Sequence, residues 1–140
     1  MSDTVHFHFD IDGENFTSAG EASVRIKKLL REMGFSPDLI RRVSVAMYEG
    51  EINMVIHANG GSADVHVFCD KIEIVLADKG PGISNIELAM QEGYSTAPDN
   101  IRSLGFGAGM GLPNMKRYTD EMKIESEIGK GTTIYMTVKV

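Results

Sequence analysis

Thiols are almost absent from the 140 residues: Cys69 stands alone, so no intrachain disulfide can form and no second cysteine lies nearby to build a zinc knuckle. A basic surplus is missing too. Fourteen Lys and Arg face twenty Asp and Glu, a net charge of −6, which leaves nothing to neutralise a phosphate backbone and argues against nucleic acid as a partner. The apolar runs are only a few residues long, and the opening MSDTVHFHFD has neither a basic nor an apolar signal region. These absences predict no membrane partner and a cytoplasmic location. With hydrophobic residues at 42% and charged residues at 24%, residues 1–140 read as a single folded domain with its own core.

The apolar spacing then divides the chain. Strict alternation at Val5, Phe7, Phe9 and Ile11 predicts a strand with His6 and His8 on its other face. Two histidines at i and i+2 could ligate a metal, but the stretch offers no completed ligand set, so they read as a solvated face. Ala22, Ile26, Leu29, Leu30 and Met33 predict an amphipathic helix from about residue 19, ended by Gly34. Ser36-Pro37-Asp38 opens a second helix that should run to about Ala58. Ala63, Val65, Val67 and Cys69, then Ile72, Ile74 and Leu76, predict an antiparallel hairpin turning at Asp70-Lys71 and ending at Asp78. A short helical pattern covers Ile86 to Met90, residues 93–108 read as a mobile lid, and Leu112, Met115 and Tyr118 suggest a further helix. A hairpin of Met122–Glu127 and Thr132–Val140 closes the chain.

Three features depart from an average sequence. Gly105, Gly107, Gly109 and Gly111 alternate within seven residues, where composition alone would put about one glycine. Such a run lets backbone N–H groups approach an anion at a helix amino end. Walker, dinucleotide-fold and eukaryotic-type protein kinase loops do not match it. On the second helix, Glu49 and Asn53 lie one turn apart on an otherwise apolar arc, where they could present a general base and a metal-coordinating oxygen to one ligand; a buried carboxylate satisfied by backbone is the alternative. Glu51 points the opposite way and reads as solvated. The third feature, Asp78-Lys79-Gly80-Pro81-Gly82, is by itself a turn with a capping acid.

Order gives these blocks weight: Glu49-x-x-x-Asn53, Asp78-x-Gly80-x-Gly82, the alternating glycines, then Gly129-x-Gly131-Thr132. In that order they resemble the ATPase domain shared by gyrase, the large heat-shock chaperone, sensor histidine kinases and mismatch-repair proteins, the GHKL superfamily. Size and the stretches around Asn53 and Tyr94 are similar to the bacterial anti-sigma factor serine kinases and switch-protein kinases. The resemblance implies an α/β two-layer sandwich, a mixed, mostly antiparallel sheet with helices on one face, and ATP with Mg2+ as cofactors. It implies Glu49 as general base, Asn53 as the magnesium ligand and Asp78 as the acceptor for the adenine amino group. Gly80 and Gly82 would shape the turn beside the base, Gly107, Gly109, Gly111 and Leu112 would form the phosphate block, and Thr132 would support the adenine site. The implied activity is phosphorylation of a Ser or Thr on a small antagonist protein, with a sigma factor or another regulator as a further partner and a homodimer left open. A regulatory module that binds ATP without transfer, and a histidine kinase catalytic fragment, are the alternatives.

Overall fold

The computed structural model describes residues 4–12, 20–58, 60–83, 90 and 111–140. Along them run β1 (Val5–Asp12), α1 (Glu21–Glu32), α2 (Pro37–Ala58), β2 (Gly60–Val67), β3 (Lys71–Ala77), α3 (Gly111–Arg117), β4 (Glu121–Glu127) and β5 (Gly131–Lys139). The expected helix over Ile86 to Met90, apart from Met90 itself, and the expected lid over 93–108 lie outside the described residues.

Side-chain alternation makes the sheet two-faced. Ala63, Val65 and Val67 of β2, Ile72, Ile74 and Leu76 of β3, and Ile134, Met136 and Val138 of β5 are all buried on one face. Against that face pack Ile26 and Leu30 of α1, Val43, Ala46, Met47 and Met54 of α2, and Leu112 and Met115 of α3. Each fully buried side chain of this size contributes roughly 1.5–3 kcal/mol relative to exposure, so this single layer of contacts holds helices to sheet. The strand order is β1-β2-β3-β5-β4. Every described pairing is antiparallel, so the sandwich is as expected while no parallel pair of a mixed sheet occurs among the described residues.

α2 starts at Pro37, with the Leu39 N–H donating to Ser36 Oγ at 3.2 Å, and lies between α1 and α3 over the sheet. Gly50 lets it approach β3, because a Cβ there would run into Leu76 Cδ1. Two boundaries differ from the alternation. β2 begins at Gly60, since the glycines pair with Asp12 and Ile11 of β1 although they have no side chains to show a face. It ends at Val67, and Cys69 sits exposed in a turn closed by Phe68 N–H to the Lys71 carbonyl at 2.9 Å.

On the outer face the histidines of β1 do meet carboxylates, Asp64 brought by register from β2 and Asp10 from β1 itself. His6 Nε2 and His8 Nδ1 both lie 2.8 Å from Asp64 Oδ1, and His8 Nε2 lies 3.0 Å from Asp10 Oδ1. No group of three or more His, Cys, Asp or Glu among the described residues is arranged to hold a metal. Among them, too, no helix is long and apolar enough to cross a membrane.

Candidate active site

Helical spacing puts Glu49 and Asn53 one turn apart on α2, both half-buried. Glu49 faces the first turn of α3: Asn114 Nδ2 donates to its Oε1 at 3.4 Å, and a Cβ on Gly111 would lie 3.7 Å from its Oε2. Burial pushes the Glu49 carboxyl above the usual glutamate value, and the Asn114 bond works in the opposite direction. A carboxylate shifted upward is a stronger proton acceptor when ionised, which suits a general base.

Asp78 leaves β3 and immediately ties three segments together. Its N–H donates to the Thr132 carbonyl at 2.9 Å, while its Oδ1 accepts the Thr132 N–H at 3.1 Å and the Gly80 N–H at 2.9 Å. Both side-chain bonds fall on Oδ1, and Oδ2 takes none among the described residues. The half-buried side chain therefore offers one oriented acceptor oxygen.

The turn after Asp78 fits its surroundings only with no side chain at Gly80 and Gly82. A Cβ on Gly80 would come within 2.6 Å of Ala58 Cβ, so the turn rests directly on the end of the helix that carries Glu49 and Asn53. Gly82 has φ +84°, and a Cβ there would come within 2.5 Å of the Glu127 carbonyl in the β4–β5 hairpin. Gly129 N–H closes the contact by donating to the Pro81 carbonyl at 2.9 Å. Thr132 is buried at 6% exposure, with Oγ1 2.9 Å from Ser126 Oγ. Ser126 Oγ also accepts the Ile83 N–H at 2.7 Å and donates to the Gly131 carbonyl at 3.3 Å. Thr132 is then the donor in the hydroxyl pair, because the Ser126 proton is already committed.

The structure thus brings the helix of Glu49 and Asn53 against both the Asp78–Gly82 turn and the start of α3. Gly111 opens α3 and Leu112 is buried beneath it, whereas Gly107 and Gly109 lie outside the described residues. Three residues of this region escape a sequence reading. Asn114 touches Glu49 and carried only the signal of an amide in the first turn after the glycine run. Ser126 carried none, being one of several polar positions on an edge strand.

Glu51 is the third, and a correction. It is not solvated but 1% exposed, accepting the N–H groups of Gly20 at 2.9 Å, Ala22 at 3.2 Å and Ser23 at 2.6 Å. Its direction on the helix was right; what it faces is the first turn of α1. Burial pushes its carboxyl upward, against the lowering effect of these backbone bonds. The carboxylate satisfied by backbone is Glu51, not Glu49.

Comparison with known proteins agrees with this fold. Residues 15–138 match the histidine kinase-like ATPase domain model. An anti-sigma F factor of Clostridium acetobutylicum is 37% identical over 123 residues, covering 84% of this chain and 82% of that one. The serine/threonine-protein kinase RsbT of Bacillus subtilis is 31% identical over 112 residues, 77% of this chain and 78% of its own. Among solved structures, that of the RsbU and RsbW domains of a Mycobacterium tuberculosis protein superposes with a TM-score of 0.61 at 18% identity, over 96% of this chain and 32% of that one, a likeness of fold. The sandwich, the ordered blocks and the match along nearly the whole chain lead to one assignment: the protein belongs to the histidine kinase-like ATPase domain family, with anti-sigma F factors and the kinase RsbT among its relatives.

Proposed function

We propose that the chain is an ATP-dependent protein serine/threonine kinase that phosphorylates a small antagonist protein in the cytoplasm and so controls the release or capture of a regulator such as a sigma factor. The observation that supports this reading is the half-buried Glu49 carboxylate, raised above the usual glutamate value by burial, one turn from Asn53 and against the first turn of α3. In this reading Asp78 Oδ2 accepts the adenine amino proton, the turn at Gly80 and Gly82 lets the base lie against backbone, and Thr132 braces that end. Gly107, Gly109, Gly111 and Leu112 form the phosphate block.

The residues suit a magnesium nucleotide. Asn53 would hold the Mg2+ through one amide oxygen, since this ion commonly takes few protein ligands and fills the rest of its shell with water and phosphate oxygens. When bound, the ion neutralises charge on the phosphates. Glu49 removes the proton of the acceptor hydroxyl as that oxygen bonds to the γ-phosphorus, the bond from the γ-phosphorus to the β–γ bridging oxygen breaks, and ADP leaves.

The test is incubation with γ-labelled ATP and the small antagonist proteins encoded by neighbouring genes, followed by mapping of the labelled residue. Label on a single Ser or Thr of one partner, lost in the Glu49→Gln protein, is the expected result. Saturable MgATP binding with no transfer to any partner would replace the kinase by an ATP-binding regulatory module.

A further inference from the structure

Helix α1 lacks a cap of its own. Its N-cap residue is Gly20, in a left-handed conformation at φ +100°, and no side chain at that position binds the first turn. A local Ser, Asp or Asn would do so at the surface without burying charge. Instead a carboxylate is carried into the interior on another helix, a placement that is costly unless the charge is fully hydrogen-bonded. Glu51 meets that condition with the three N–H groups of Gly20, Ala22 and Ser23, and Ser23 Oγ completes the turn by donating to the Gly20 carbonyl at 2.8 Å. The Tyr48 ring closes over the same spot, where a Cβ on Gly20 would lie 3.0 Å from it.

At about 100° per residue, Glu51 projects from α2 roughly opposite Glu49 and Asn53. The two glutamates therefore reach the first turns of two different helices: Glu51 grips α1, while Glu49 touches α3 through Asn114. A helix held from behind by a buried carboxylate cannot roll or slide without breaking those bonds. We propose that Glu51 is a positioning residue for phosphoryl transfer, its grip on the first turn of α1 fixing the α2 turn that carries Glu49 and Asn53. This rests on the kinase reading for its purpose, while its geometry can be tested without any transfer.

The test follows the titration of the Glu49 side chain by carbon-13 NMR in the nucleotide-free protein. Two variants disturb the grip from opposite ends: Glu51→Gln aims an amide at N–H donors, and Gly20→Ala crowds Tyr48 while leaving the Glu51 charge in place. Both should move the Glu49 midpoint downward as its burial against α3 relaxes, and both should lower MgATP affinity by about 2- to 10-fold, the lower part of the range for coupled groups. A midpoint that moves only in Glu51→Gln reports the lost charge alone and overturns the proposal. So does an unmoved midpoint in both, which leaves Glu51 a structural cap. Should Glu51→Gln fail to fold, Gly20→Ala decides the matter by itself. Because the midpoint is read whether or not an acceptor is ever labelled, failure of the kinase reading and failure of this proposal are separate outcomes.

Discussion

Asp78 binds backbone through Oδ1 alone, which leaves Oδ2 without a hydrogen bond among the described residues and, in the proposed reading, available to the adenine amino group. In Asp78→Asn the amide oxygen can keep the bonds to Gly80 and Thr132, which leaves an NH2 donor facing the adenine amino donor. That mispairing costs about 1–3 kcal/mol, so MgATP and MgADP should bind roughly 5- to 150-fold more weakly by calorimetry. Unchanged affinity in the folded variant would remove Asp78 from the adenine site. Glu49 and Asn53 should separate in the same assays. Glu49→Gln should retain most nucleotide affinity while transfer drops by about 10²- to 10⁴-fold, whereas Asn53→Ala should also weaken magnesium-dependent binding. A base acts only when ionised, so transfer should fall as pH drops through the raised Glu49 value, an acid limb above that of an ordinary glutamate. Removing the Asn114 hydrogen bond that lowers it, in Asn114→Ala, should move that limb further up in the pH–rate profile. The Glu49–Asn53 pair was legible in the sequence because one helical turn is a local relation. Glu51 was not: its partners are 28 to 31 residues upstream, and a helical wheel gives direction without saying what waits there.

β1 is an edge strand whose outer face meets β2 where His6 and His8 reach Asp64, while Asp10 of β1 itself takes the other nitrogen of His8. His8 can donate to both carboxylates only when both ring nitrogens carry protons. Its hydrogen bonds to Asp64 and then Asp10 raise it above the usual histidine value. For Asp64, burial acts upward, but the bonds from His8 and His6 prevail and hold it below the usual carboxylate value. The His8 contribution is therefore complete below the unfolded histidine value and lost as pH rises through the folded one. The Asp64 contribution is present above the unfolded carboxylate value and lost as pH falls through the folded one. The clasp should be tightest in the mildly acidic window between them. Exchange of β1 amides, corrected for intrinsic rates, should show greater protection in that window than at alkaline pH, and Asp64→Asn should abolish the difference. Neighbouring histidines on one strand were visible in the sequence. Asp64, the carboxylate they share, was not, because alternation fixes which face a residue takes and leaves open which strand lies beside it.

At the scale of the molecule, the core was legible wherever a period was sustained, as at Ile26 and Leu30 or Ile72, Ile74 and Leu76. What the period could not show is the distance at which α2 approaches the sheet, on which the proposed site would depend. Gly50 sets it, lying directly after Glu49 and over Leu76, a side chain only 2% exposed with little room to turn away. A methyl added at Gly50 must push α2 off β3, and Met115 Sδ, 3.6 Å from the added atom, limits a sideways escape toward α3. Overpacking of this kind costs about 1–3 kcal/mol, so Gly50→Ala should lower the urea midpoint without changing the slope. It should also weaken MgATP binding, because the Glu49–Asn53 turn moves with the helix while the Asp78 turn remains tied to β5. Leu76→Ala alone should cost about 2–5 kcal/mol through the cavity it leaves. If the distance between α2 and β3 is what Gly50 protects, the double variant should be more stable than the sum of the two losses predicts and should recover part of the MgATP affinity lost in Gly50→Ala, since the new methyl then occupies the space that Leu76 vacates. Strictly additive losses, with affinity no better in the double variant, would show that Gly50 matters for another reason than its contact with Leu76.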